Sequence, residues 1–183
     1  MPNPTCPTGC ETSLAPVAFS VCAPEVNLSE IARLYIATAD SAGFTDWKSP
    51  TEWAARLSNT LTTAGKIRRL TVIADKPAPT AATRDISGGR TITSNKTHVV
   101  NFTIDETNSI NHDWLRQLEC GGQFKIWYET IGGLLFGGNS GIIATVTADM
   151  VVARGTEEIL VYNGTATWKN RFTEERAISP IAA

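Results

Sequence analysis

The sequence predicts a mainly β chain, an antiparallel β-sandwich or partly closed barrel with one or two short flanking helices and an irregular N-terminal arm. Three observations predict it. Threonine fills 24 of 183 positions, and a β-branched side chain with a hydroxyl suits a strand with one wet face. Apolar and polar residues alternate through several segments, and Gly and Pro clusters punctuate them. About eight such strands and two helices can be read, with no strand–helix–strand rhythm to suggest a parallel sheet.

Residues 1–25 are rich in Pro, Thr, Ser and Cys and lack periodicity, so they read as an arm. The arm still contains Leu14, Val17, Phe19 and Val21, and it is expected to order against a neighbouring subunit. Residues 26–183 form the single domain. Ile31–Thr38 is the first strand, with Leu34 and Ile36 on one face and Arg33, Tyr35 and Ala37 on the other. Ser49-Pro50-Thr51-Glu52 predicts a helix start, in which Ser49 accepts from Glu52 and Glu52 reaches back to the Ser49 N–H. Trp53 and Leu57 then share one face, and the helix ends near Asn59. Ile67–Asp75 is a strand that buries Leu70, Val72 and Ala74. Residues 76–90, with their prolines and Gly88-Gly89, read as a long loop or hairpin tip. Arg90–Asp105 holds one or two strands, with Val100, Phe102 and Ile104 inward. Thr107–Glu119 is the second helix, with Ile110, Trp114 and Leu118 spaced four apart beside Leu115, and Gly121-Gly122 stops it. Strands follow at Phe124–Glu129, Ile142–Ala153 and Glu158–Asn170, and residues 171–183 form a tail.

Composition narrows the function. The net charge is −2, from 16 basic and 18 acidic residues, which argues against a basic nucleic-acid binder. No apolar run approaches the ~20 residues of a membrane-spanning helix. The N-terminal residues have no basic region followed by an apolar one, so no secretory signal is expected. The Asn-x-Ser/Thr sequons at Asn27, Asn95, Asn101 and Asn163 follow from the threonine content and carry no weight without one.

Convergent chemistry is hard to find. Cys6, Cys10, Cys22 and Cys120 fit free thiols, a disulfide among the first three, or a zinc site with imperfect spacing. A Cys120 hydrolase would need His98 or His112, but a thiol at a helix C-terminus has its pKa raised by the dipole. The glycine-rich Gly132–Gly141 has no phosphate-loop signature and reads as hairpin turns. The pairs Asp105-Glu106, Glu157-Glu158 and Glu174-Glu175 read as solvated turns, because adjacent strand residues point apart. Lys66, Arg68 and Arg69 read as a solvated face. Trp53 and Trp114 are expected in the core; Trp127 and Trp168 could form a carbohydrate-stacking surface or pack between subunits. The chain is expected to be no enzyme, with no catalytic, cofactor or metal residues.

The order of motifs resembles a known group. Ile86-Ser87-Gly88-Gly89-Arg90 and Val100–Glu106 precede Trp114-Leu115-Arg116-Gln117-Leu118, then Gly121–Tyr128 and Gly137-Gly138-Asn139-Ser140-Gly141. This resembles tail-tube-like virion proteins of tailed bacteriophages, and is most similar to those of phages infecting Bacteroidetes, including the crAss-like group. The resemblance covers residues 26–180, and the arm departs from it. It implies a virion protein assembled in the host bacterial cytoplasm, whose subunits form stacked, hexameric rings. The implied partners are other copies of itself, other tail or portal-proximal proteins, and DNA passing through the lumen without sequence-specific binding; no membrane is implied. The alternatives are another virion component of related fold (capsid-associated, connector or cargo) and a carbohydrate-binding or adhesin module.

Overall fold

A computed structural model describes residues 26–58, 66–118, 121–155 and 158–181. The expected arm and Cys6, Cys10, Cys22 and Cys120 lie outside the described residues.

Alternation of buried and exposed side chains curls six strands around one core. They are β1 (Ile31–Thr38), β2 (Arg68–Asp75), β4 (Arg90–Ile104), β8 (Val161–Asn170), β7 (Ile142–Val151) and β5 (Gln123–Thr130). Each pairs antiparallel with the next in that order, and β5 pairs back with β1, so the barrel is closed. Three more strands extend it. β3 (Thr80–Ile86) pairs with the first half of β4, β6 (Leu134–Phe136) with β5, and β9 (Arg176–Ile178) with β6.

A six-strand barrel is narrow enough for side chains to fill. Leu34, Ile36, Val72, Val100, Phe102, Ile126 and Val146 all point inward and are at most 5% exposed. Space for them is tight. A Cβ on Gly164 of β8 would lie 2.3 Å from the Phe102 ring and 2.8 Å from the Thr147 carbonyl oxygen. Glycine stands there because Phe102 fills the volume a side chain would need.

Helix α2 (Ser109–Leu118) closes one end of the barrel. Asn108 Oδ1 accepts the Asn111 N–H at 2.9 Å, which caps its first turn. Leu115 and Leu118 enter the core, with Trp114 partly buried beside them. Gly121 follows at φ +75° and donates its N–H to the Leu118 carbonyl, as the glycine stop predicts. Ile110 is 77% exposed and does not join this face, because the helix begins only at Ser109 and its first turn overhangs the rim.

A second core lies outside the barrel. Tyr35, Ala37 and Trp127 on the outward faces of β1 and β5 pack with Phe44, Trp47, Trp53, Ile67 and Leu135. Helix α1 (Pro50–Leu57) supplies Trp53, whose ring meets Trp127 edge-on at 5.8 Å. The glycine-rich turn wraps the same indole. Trp127 Nε1 donates to the Gly138 carbonyl at 2.9 Å, and a Cβ on Gly137 or Gly141 would fall 2.4 or 2.6 Å from the ring. These glycines make hairpin turns, as expected, and they also admit an indole.

Ser49 caps α1 by accepting from the Glu52 N–H. The reciprocal bond differs from expectation. Glu52 reaches the N–H groups of Thr45 and Asp46, both at 3.1 Å, and pairs with Arg56 at 2.9 Å; the Ser49 N–H donates to the Asp46 carbonyl instead. Of the two readings for residues 76–90, the hairpin tip holds: β3 takes Thr80–Ile86 and turns at 87–89 into β4, a strand invisible in the sequence because its Thr, Ala, Arg and Asp residues show no apolar period. The tail at 171–183 likewise contains β9, paired to β6.

Two outcomes follow. Gly164→Ala should lower unfolding free energy by about 1–3 kcal/mol through overpacking, read from urea titration. Burial alone would raise the Glu52 carboxyl, but the Asp46 and Thr45 N–H groups and Arg56 outweigh it and hold the group below its ordinary 4.5. A carboxyl depressed in the fold stabilises fully above 4.5 and loses that contribution as pH falls through its folded value. Glu52→Gln should therefore lower the melting temperature at neutral pH and converge with the parent in acid.

Candidate functional site

Of the residues singled out in the sequence, His98, Trp168 and Glu174 meet at one end of the barrel, and His112 does not join them. His98 is 1% exposed, and His112 sits on α2 beside Tyr162 at the opposite end of the barrel. Trp127 and Trp168 are 0% and 5% exposed, so neither indole offers a sugar-stacking surface. Arg68 and Arg69 are solvated, as expected. Among the described residues no group of three or more His, Cys, Asp or Glu side chains is placed to hold a metal ion, and no helix is long and apolar enough to cross a membrane.

Among the described residues two carboxylate side chains are buried, and one corrects the sequence reading. Glu174 was expected in a solvated turn, yet its side chain is only 2% exposed. It seals the barrel end opposite α2. Oε1 accepts from Trp168 Nε1 at 3.1 Å and lies 3.0 Å from His98 Nδ1. Oε2 accepts from Tyr128 Oη at 3.3 Å and faces Lys76 Nζ at 3.4 Å. His98 Nε2 lies 3.2 Å from the Asn170 carbonyl, where it donates. The Nδ1 contact is at ion-pair distance without hydrogen-bond alignment. His98 also stacks on Trp168 at 5.3 Å. Burial, then the charge of Glu174 and the bond to it, push the Tyr128 phenol above its ordinary range.

Glu129 is the other, on the outward side of β5. It accepts from Tyr35 Oη at 2.5 Å and pairs with Arg33 Nη1 at 3.3 Å. Burial, then the bond to Glu129, push the Tyr35 phenol above its ordinary range. Both clusters join strands distant in sequence, and their ligand positions are taken by protein atoms. Each carboxylate cross-links the strands that supply its partners. No local signal marks either carboxylate, since the partners of Glu174 come from the β2–β3 link, β4, β5 and β8.

The remaining candidate surfaces lie outside the barrel. The first is the ribbon formed by β3 and the N-terminal half of β4. Every residue of Thr80–Asp85 and Arg90–Asn95 is exposed, so both faces of this two-stranded ribbon are bare. The second is an open groove of about 850 Å³ across β2, β4, β8 and β7, bordered by Glu30, Asp75 and Asp149. Its floor carries hydroxyls and amides bonded across strands: Thr103 Oγ1 donates to Asn163 Oδ1 at 2.8 Å, and the Thr147 and Thr165 hydroxyls meet at 3.0 Å. The threonine excess is therefore visible as a polar coat on the barrel's outer face.

No protein-family model matches the chain, and no curated protein matches it.

The Glu174 cluster gives a direct outcome. Glu174→Ala leaves His98, Lys76 and Trp168 Nε1 without their acceptor and should cost about 3 kcal/mol of stability. Denaturant unfolding followed by tryptophan fluorescence measures it, since Trp168 reports on the site directly.

Proposed function

We propose that the chain is a non-enzymatic virion structural protein, a tail tube subunit that assembles with copies of itself into stacked rings around a DNA conduit. The observation that carries this reading is the β3–β4 ribbon. A two-stranded ribbon bare on both faces is marginal on its own and is a template for association. Here it projects from a barrel whose other strands are paired around a full circle, so the rigid body and the reaching element are separate parts of one chain.

Two further features support the reading. The barrel is filled with side chains and covered at both ends, which directs function to the outer surface. The outer face across β4, β8 and β7 is coated with threonine and asparagine side chains bonded across strands, which suits a surface packed against a neighbouring copy. A capsid-associated or connector protein would use the same ribbon with a different copy number.

Electron microscopy of the purified protein at high concentration should show rings or tubes. A strictly monomeric population across the concentration range, with no such particles, overturns the reading.

A further inference from the structure

We infer that the β3–β4 ribbon of one copy seats in the acidic groove of a second copy; the inference rests on the self-assembly proposed above and names the contact that drives it.

The ribbon is two-sided. Its register pairs Arg84 with Ile92 and Ile86 with Arg90, so these four side chains form a checkerboard of cations and apolar groups on one face. Thr83, Thr91 and Thr93 occupy the other face with Asp85, whose carboxylate already accepts from Thr91 Oγ1 at 2.7 Å. The even-numbered positions of β4 supply His98, Val100, Phe102 and Ile104 to the core. Arg90 and Ile92 continue that parity past the rim, where nothing lies beneath them. Among the described residues neither Arg84 nor Arg90 forms an ion pair.

The groove has the opposite character. Glu30, Asp75 and Asp149 border it, and no Lys or Arg lines it. Asp75 has only a long contact from Asn101 Nδ2 at 3.4 Å. Ile73, 60% exposed within the groove, gives Ile86 and Ile92 an apolar surface to meet. Charge and apolar content therefore match on both sides.

The ribbon cannot fill its own groove. Both are built on β4, a single strand of 15 residues, and Asn101, Phe102 and Thr103 of that strand line the groove. A continuous strand does not fold back onto its own middle, so the occupant is a ribbon from another molecule. Ribbon and groove are different patches, so the contact is head-to-tail and repeats until a ring closes or a filament grows.

A charge swap tests this. One variant carries Arg84→Glu and Arg90→Glu; the other carries Asp75→Lys and Asp149→Lys. All four positions are exposed, and circular dichroism checks that the fold is kept. Sedimentation velocity at low salt reads association. The expectation is that each variant alone associates at least about tenfold more weakly than the parent, and that an equimolar mixture returns to parental behaviour, because each ribbon then meets a groove of opposite sign. Parental association by either variant alone, or a mixture no better than its components, overturns the ribbon–groove contact while leaving self-assembly standing. A parent chain that never associates overturns both.

Discussion

The pairing of β1 with β5 is the contact on which the rest of the molecule depends. It runs through seven register pairs from Ile31 to Thr38 and turns an open sheet into a closed barrel. It unites residues 86 to 99 positions apart in the chain, so closing it costs the entropy of a long loop. Glu129 staples it from outside, binding Arg33 and Tyr35 of the facing strand. The same two strands are buried on both faces, by the barrel core within and by the tryptophan-rich layer under α1 without. Closure also protects strand edges; among the described residues, β3, β9 and the N-terminal half of β4 keep unpaired ones.

Much of this was legible in the sequence, where local pattern and final environment agree. Leu70, Val72 and Ala74 alternate with exposed neighbours, Val100, Phe102 and Ile104 with half-buried ones, and each triplet lies in the core. Ser49 and Pro50 mark the start of α1 and Gly121 the end of α2, because caps are local chemistry. The reading weakened where partners come from afar. Alternation in β1 and β5 says that two faces differ, but not that a second layer covers the outer one. Trp127 therefore gave no sign of being wrapped by Gly137 and Gly141. Glu174 looked like a solvated acid because none of its partners lies nearby in the chain except Trp168. β3 gave no strand signal, since a ribbon without a buried face has no apolar period.

The carboxylate at position 174 explains how a narrow barrel ends. A filled barrel still has two mouths where strand ends expose inward-facing groups. Helix α2 covers one with leucines. At the other mouth, His98, Tyr128 and Trp168 carry polar atoms that an apolar plug would leave unsatisfied, and a single carboxylate from the C-terminal segment meets them together with Lys76. That segment is thereby fixed against the barrel and delivers β9 to the edge of β6.

Strand β4 has a mechanical consequence. Its C-terminal half is bonded to β8 through nine register pairs, and its N-terminal half runs outward as one side of the ribbon without a break in the backbone. Force applied along the ribbon enters the barrel parallel to its strands and loads those hydrogen bonds in shear, all at once, rather than peeling them singly. A grip on the exposed half is thus anchored in the barrel wall through one unbroken strand.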